Sequence, residues 1–350
     1  MELGLAKEII ETTIIIEILL ILLIILFTYF AKLAIYWREK RKQKLTAEIE
    51  NHFQQLLNSK QPLSSKKFPR RWKKIQILFP TFVKFDQANK NNPAWDNLRK
   101  EILQTILLPL ARKRAYSRRW IIRFFACETL GMAAEKSDEK IITRLVKDRI
   151  PLIYMHAITA AVKSGSETAI ATVTARMSKM SWLTQSMYLE PFKQASGDVR
   201  QIVEKQLTSS TDPNIRAQCY KILKNFPPVK PTWDINKDLQ AKEFELRLSA
   251  LKYLAHVDSE AAIPILQQKL KDEHWEVRLV AVHRLGRMKV QNAMTQLADC
   301  LNDPEWWVKI SAAQALKGMG AEGEKLLKER APELESIPFD ATNHVSNSLW

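Results

Sequence analysis

A template that returns every 31 residues constrains this chain more than any other feature. It is clearest in Asp272–Leu285, DEHWEVRLVAVHRL, where Trp275, Val277, Arg278, Ala281 and Leu285 fill positions 1, 3, 4, 7 and 11. One step forward lie Trp306, Val308, Lys309, Ala312 and Leu316; one step back lie Phe244, Leu246, Arg247, Ala250 and Leu254. The next step back gives Pro213, Ile215, Arg216, Cys219 and Leu223. Two weaker copies precede it, Trp182/Thr184/Gln185/Tyr188/Phe192 and Pro151/Ile153/Tyr154/Ala157/Ala161. The earliest copy is Trp120, Ile122, Arg123, Ala126 and Leu130. Seven copies with no insertion between them predict a solenoid, because one such unit cannot bury its apolar face alone whereas stacked units can.

Positions 3, 7 and 11 are four apart and share one face of a helix. Position 7 is Ala or Cys in six copies, which lets another helix approach closely. A second apolar pair keeps the same step, as in Ile142/Val146, Val173/Met177, Ile235/Leu239, Leu266/Leu270 and Leu297/Leu301, with Val203/Leu207 slipped by one residue. Each unit therefore reads as two short helices, A then B, joined by turns such as Asn302-Asp303-Pro304 and Thr211-Asp212-Pro213. Opposite the packed face, position 9 forms a mostly polar column of Glu128, Thr159, Glu190, Lys221, Lys252, His283 and Gln314. Lys221, Lys252, His283 and Arg287 on that face, with Trp307 as an exposed aromatic anchor, are the candidate partner-binding residues. Trp306, at position 1, is expected to pack between units.

The D-P-x-W-x-V-K/R-x-x-A-x-x-x-L pattern, carried by Asp303, Pro304, Trp306, Val308, Lys309, Ala312 and Leu316, resembles a HEAT repeat. The short period resembles the HEAT-like repeats of the phycobilisome-lyase group. The resemblance covers roughly Arg118–Gly320 and departs from the pattern where Tyr154 and Gln185 replace the basic residue. It implies an all-α fold, a HEAT-like α-solenoid of about seven helix pairs, with partners lying against the B helices. It also implies that the basic ladder Arg123, Arg216, Arg247, Arg278 and Lys309 pairs with carboxylates of neighbouring turns such as Asp148, Asp272 and Asp303; the competing reading is an anion-binding stripe.

Ahead of the repeats, Ile18–Ala31 contains no charged residue, and Thr13–Tyr36 is long enough to cross a hydrocarbon core of about 30 Å. The preceding stretch is acidic and no A-x-A site follows, which argues against a cleaved signal peptide, and Ile and Leu on every face argue against a soluble core helix. Glu17 reads as the outer end of the span, or else as an intramembrane carboxylate. Lys32–Arg123 carries 23 basic and 6 acidic residues, whereas Phe124–Trp350 has a net charge of only +2 out of +16 for the whole chain. Basic residues crowded after the span place the C-terminal part in the cytoplasm. Arg38, Lys40, Arg41, Lys42, Lys44, Arg70, Arg71, Trp72, Lys73 and Lys74 are the expected contacts with an anionic membrane surface. Two readings of Trp72, Ile75, Phe79 and Phe82 stand open, insertion among headgroups and packing on the first repeat helices. The organisation is thus an N-terminal transmembrane region at 1–37 (spanning about 13–36), a basic helix and linker at 38–93, the solenoid at 94–331 and a tail at 332–350.

No nucleotide-binding, metal-binding or nucleophile motif stands out, and the six histidines share no ligand spacing. No catalytic, cofactor or metal residue is therefore expected. Cys127, Cys219 and Cys300 are far apart and read as free thiols of a reducing compartment. The expected function is a membrane-anchored scaffold, not an enzyme, that binds a partner protein, a membrane-associated enzyme being the natural class. A bacterial inner membrane is the expected setting. The alternatives are a bilin-lyase-like HEAT enzyme, from the resemblance, and a nucleic-acid binder, from the basic segment; nucleic acid is not the expected partner because the repeats are near neutral.

Overall fold

A computed structural model describes residues 2–59, 68–257 and 259–334, and within them the side chains from residue 16 onward other than those of Ser59, Trp182 and Ser259. Helix α1 (Glu2–Ser59) is one uninterrupted element of 58 residues. The basic segment after the apolar stretch continues the same helix to Ser59, since no Gly or Pro lies between Gly4 and Pro62 to break the rod. Within it, Ile16–Asn58 is the one helix among the described residues long and apolar enough to cross a membrane by length and composition. Its most apolar 18-residue window has a mean hydropathy of 2.7 and is 0% buried. Further along, Ile49, Phe53 and Leu56 recur at helical spacing and are buried. The expected linker falls partly on 60–67, outside the described residues.

The chain divides into two compact units, Met1–Ala133 and Ala134–Trp350. In the first, a single turn at Arg70–Trp72 leads to α2 (Ile75–Ala88) and α3 (Pro93–Ile102). Asn92 starts α3 by accepting a hydrogen bond from the Ala94 amide, and Pro93 fits the first turn, where no donor is needed. A π turn at Leu103–Leu107 joins α3 to α4 (Leu108–Arg114), and α5 (Trp120–Ala133) follows. The π turn sits just before Pro109, which has no N–H to continue an ordinary helical ladder. Phe53, Phe82 and Trp95 meet at the centre of this unit with ring centroids 5.8–6.3 Å apart. The Asp86 carboxylate ties the cluster down, accepting from Trp95 Nε1 at 2.7 Å and Arg99 Nε at 2.8 Å.

The second unit alternates A and B helices. They are α6 (Glu139–Val146), α7 (Pro151–Ser164), α8 (Glu167–Met177), α9 (Trp182–Met187), α10 (Glu190–Lys193), α11 (Gly197–Ser209) and α12 (Pro213–Leu223). Next come α13 (Asn236–Leu239), α14 (Phe244–Val257), α15 (Ser259–Lys269), α16 (Trp275–Arg287), α17 (Met294–Asp299), α18 (Trp306–Gly318) and the closing α19 (Ala321–Arg330). No strand occurs among the described residues, so the chain is all-α. Every B helix, α5 included, begins at position 1 of the template. Positions 3, 7 and 11 are 0% exposed in Val277, Ala281 and Leu285, and again in Val308, Ala312 and Leu316.

Two repeats depart from the plan for local reasons. In the third, the B helix splits into α9 and α10, with Pro191 opening the second piece. Between the fourth and fifth, Pro227, Pro228 and Pro231 shorten the A helix to the four residues of α13. The irregular segment is pinned all the same. Arg200 Nη1 donates to the Pro227 carbonyl at 2.9 Å, Tyr253 Oη to the Val229 carbonyl at 3.2 Å, and Trp233 stacks on Tyr253.

Candidate functional site

The basic residue at position 4 acts within the fold. Arg247 Nη1 donates to the carbonyls of Ala241 and Lys242, closing the A–B turn, while Nε and Nη2 reach Asp272 of the next turn at 3.2 and 3.0 Å. Arg278 repeats this on the Asp272 and Glu273 carbonyls and on Asp303 at 2.7 and 2.8 Å. Arg216 does so with Leu207, Ser210 and Asp238. In the first unit Arg123 donates to the Ser117 and Arg118 carbonyls. Where the sequence lacks the arginine, substitutes arrive. Gln185 Nε2 donates to the Met180 carbonyl, and Arg176 stacks at 4.1 Å over Tyr154 while its Nη1 serves the Val146 and Asp148 carbonyls. Asp148 itself caps a turn, accepting from the Ile150 amide. Burial pushes the Asp272 carboxyl upward, but Arg247 and the His274 amide outweigh it and hold the group below the ordinary carboxylate range.

The other face of the B helices gathers cations. Lys221 on α12 donates to Gln185 Oε1 at 2.9 Å and is ion-paired to Glu245. Lys252 on α14 and His283 on α16 are half-buried, and Arg287 is exposed. Three residues that were not among the sequence candidates join them: Lys224, His256 and Arg284, all half-buried. Their signal was present, because each lies within a turn of a column-9 residue, as Lys221/Lys224, Lys252/His256 and His283/Arg284/Arg287. These groups feel one another. Burial, then the Arg284 charge, brings Lys224 down to about 8. Burial, then Lys224, Lys221 and Arg284, bring Lys252 to about 8 against the opposing pull of Glu245. Burial with Arg287 and Arg284 lowers His283 to about 4, so its imidazole is neutral at pH 7. Burial and the Lys224 and Arg284 charges lower His256 as well.

The tryptophans exchange the places expected of them. Trp306 is 54% exposed, whereas Trp307 is half-buried. Position 1 is the first residue of the helix, where a side chain has little of its own helix to lie on. In the juxtamembrane set, Arg70, Arg71, Lys73 and Lys74 are exposed, but Trp72 is 7% exposed and is corrected from membrane-surface to core residue. Its ring packs on His52 and Phe68, and its Nε1 donates to Glu48 at 3.2 Å. Ile75, Phe79 and Phe82 are buried with it, which decides for packing over headgroup insertion. Arg38, Lys40, Arg41, Lys42 and Lys44 follow the apolar stretch of α1; Lys40 lies over the Tyr36 and Trp37 rings at 5.8 and 5.5 Å.

Cys127, Cys219 and Cys300 are free and buried. Among the described residues no group of three or more His, Cys, Asp or Glu side chains converges as a metal ion would require.

A family model described as HEAT repeats matches residues 236–317. Comparison with curated proteins returns no match. Among solved structures the chain is similar to an engineered protein at 14% identity, covering 86% of each chain with a TM-score of 0.35. It is also similar to YibA of Escherichia coli at 14% identity, covering 81% of this chain and 97% of that one, TM-score 0.35. A third similarity is to the complex of CpcE and CpcF of phycocyanin lyase from Nostoc sp., at 14% identity, 63% and 93% coverage and a TM-score of 0.28. Scores this low transfer no individual fold to the chain. Residues 236–317 match HEAT repeats, and the same kind of helix pair recurs at the same 31-residue step outside them, so the chain is an all-α helical-repeat protein with HEAT-like units.

Proposed function

We propose that this protein is a membrane-tethered HEAT-like scaffold whose B helices hold a partner protein at the cytoplasmic face of a bacterial inner membrane. The observation that carries the reading is the pairing of two features in one chain. A repeat array offers a long row of polar B-helix positions, and α1 exposes an apolar stretch from Ile16 to Trp37 that nothing in the chain covers among the described residues. Such a stretch has to find an apolar environment, and a bilayer supplies one of the right thickness. A tether of this kind raises the effective concentration of the array toward partners in the same membrane. A membrane-associated enzyme is accordingly the natural partner, and the scaffold itself has no catalytic task.

Orientation is part of the proposal. The cations Arg38, Lys40, Arg41, Lys42 and Lys44 anchor the cytoplasmic end, and with Arg70, Arg71, Lys73 and Lys74 they meet anionic headgroups. A reporter fused after Trp350 tests it in whole cells. Activity of a cytoplasm-dependent reporter is expected, and activity only of one that works outside would refute the orientation. Extraction of the chain from membranes by alkaline carbonate alone would refute the span.

A further inference from the structure

The turn between α4 and α5 gathers cations and exposed aromatics in one short stretch, Arg-Lys-Arg-Ala-Tyr-Ser-Arg-Arg-Trp-Ile at 112–121. Between Glu101 and Glu128 the chain has six basic residues and no acidic one. Lys113, Arg114, Arg118 and Arg119 are exposed. The exposed large apolar side chains of this unit outside α1, among the described residues, are Tyr116, Trp120 and Ile121, at 47%, 47% and 37%. All three fall inside the same stretch. The turn is held in place. Arg123 Nη1 donates to the Ser117 and Arg118 carbonyls, the Ser117 amide donates to the Arg114 carbonyl at 3.0 Å, and the Arg119 amide donates to Ser117 Oγ at 3.2 Å. The helix gains nothing from Arg118 and Arg119, because cations just before its first turn oppose its macrodipole. No acidic residue in that turn offsets them. By contrast α14 and α16 carry Glu245 and Glu276 in their first turns.

We propose that the turn at 113–121 is a second membrane contact, which docks Lys113, Arg114, Arg118 and Arg119 on anionic headgroups and lowers Tyr116, Trp120 and Ile121 among them. The proposal rests on the reading of α1 as a membrane span, and adds a surface that fixes how the first unit lies on the bilayer. Any anion would satisfy the cations. Trp120 and Ile121 gain only where an apolar layer lies beneath the anions, as at the headgroup boundary, which takes up apolar side chains to a depth of about 5–10 Å. A duplex nucleic acid offers the charge without that layer. The unit is also within reach. The exposed apolar stretch of α1 ends at Trp37 and the packed part of the same helix begins at Ile49, about 18 Å further on at about 1.5 Å per residue. A unit of roughly 100 residues has a radius of gyration of about 13 Å, and headgroups extend about 5–8 Å beyond the apolar core, so the flank of the unit meets them.

The test uses the full-length chain in lipid nanodiscs, of phosphatidylcholine alone or mixed with phosphatidylglycerol, with an environment-sensitive nitrobenzoxadiazole label on Ile121→Cys. The native cysteines are buried, so labelling of the folded protein is selective. In anionic discs the label should emit to the blue and be quenched about twofold or more by a lipid spin-labelled near its headgroup; in phosphatidylcholine discs both effects should largely vanish. Arg114→Gln with Arg118→Gln and Arg119→Gln should abolish most of the quenching. Lys237→Gln with Lys242→Gln and Lys325→Gln removes the same charge from exposed lysines of the repeats and should leave it unchanged. Lysine at all three arginine positions should keep the quenching, and shows that the turn tolerates substitution. A label that stays in water in anionic discs, or equal loss with the lysine control, overturns the proposal. Release of the label from lipid by an added duplex oligonucleotide overturns it too, and assigns the surface to nucleic acid. If the chain does not insert into discs at all, the span falls and this surface with it; if it inserts with the label in water, the span stands and only this surface falls.

Discussion

Gly286 gives the sharpest test of how the repeats pack, because two effects there have opposite signs. It lies near the C-terminal end of α16, where Gly→Ala alone should stabilise the helix by about 1 kcal/mol. A Cβ at this position would, however, stand 2.4 Å from the Ala315 Cβ and 2.9 Å from its Cα on α18. Carbon pairs rest at about 3.5–4.0 Å, so the two helices must part by more than an ångström. One of the opposing atoms is backbone and cannot swing away. Overpacking typically costs about 1–3 kcal/mol, and a backbone-limited case belongs at the upper end, so Gly286→Ala should destabilise by about 2 kcal/mol net. Denaturant titration followed by circular dichroism measures it. Ala315→Gly in the same chain removes the nearest atom and should recover roughly half the loss, a coupling of about 1 kcal/mol in the double-mutant cycle. A Gly286→Ala protein stabilised by the propensity gain, or a cycle that is simply additive, would refute the close α16–α18 contact.

Other consequences are as direct. Arg247→Met strands the buried Asp272 carboxylate and two turn carbonyls and should cost about 3–5 kcal/mol by the same titration. Because the folded pKa of Asp272 is depressed, its contribution is present above the unfolded pKa and is lost as pH falls through the lower folded value, below about pH 4. Asp272→Asn, though less stable at neutral pH, should show a shallower acid loss in melting temperature than the wild type. Lys252 has the opposite sense: its folded pKa of about 8 lies below the ordinary 10.5, so the unfolded state binds more protons between those values and stability should rise with pH across that window. Lys252→Met should be more stable than the wild type at pH 7 and should lose part of that rise.

The array was legible in the sequence because its information is periodic. Seven copies of one template repeat the same burial problem, and the structure starts a B helix at position 1 of each. The arginine ladder was legible in kind, since Asp272 and Asp303 lie at offsets a position-4 guanidinium can reach. The substitution of Arg176 for the missing arginine at Tyr154 was not, because a residue from another helix fills the vacancy. The cation face was half visible. Column 9 marked Lys221, Lys252 and His283, and Lys224, His256 and Arg284 each lie within a turn of one of them, but which of these charges act on one another depends on how the helices pack. Trp72 was misplaced because cations on both sides of an aromatic look alike at a membrane surface and at the rim of a core; the contacts with Phe68, His52 and Glu48 are long-range facts. Composition alone could not order Trp306 and Trp307 either, since adjacent positions on a helix point about 100° apart.

The measurement that bears most directly on a membrane-tethered scaffold is affinity purification of the full-length chain from detergent-solubilised membranes. The account predicts one protein recovered at a fixed stoichiometry with the chain. A wild-type chain that comes through alone, at native expression and in mild detergent, would contradict it.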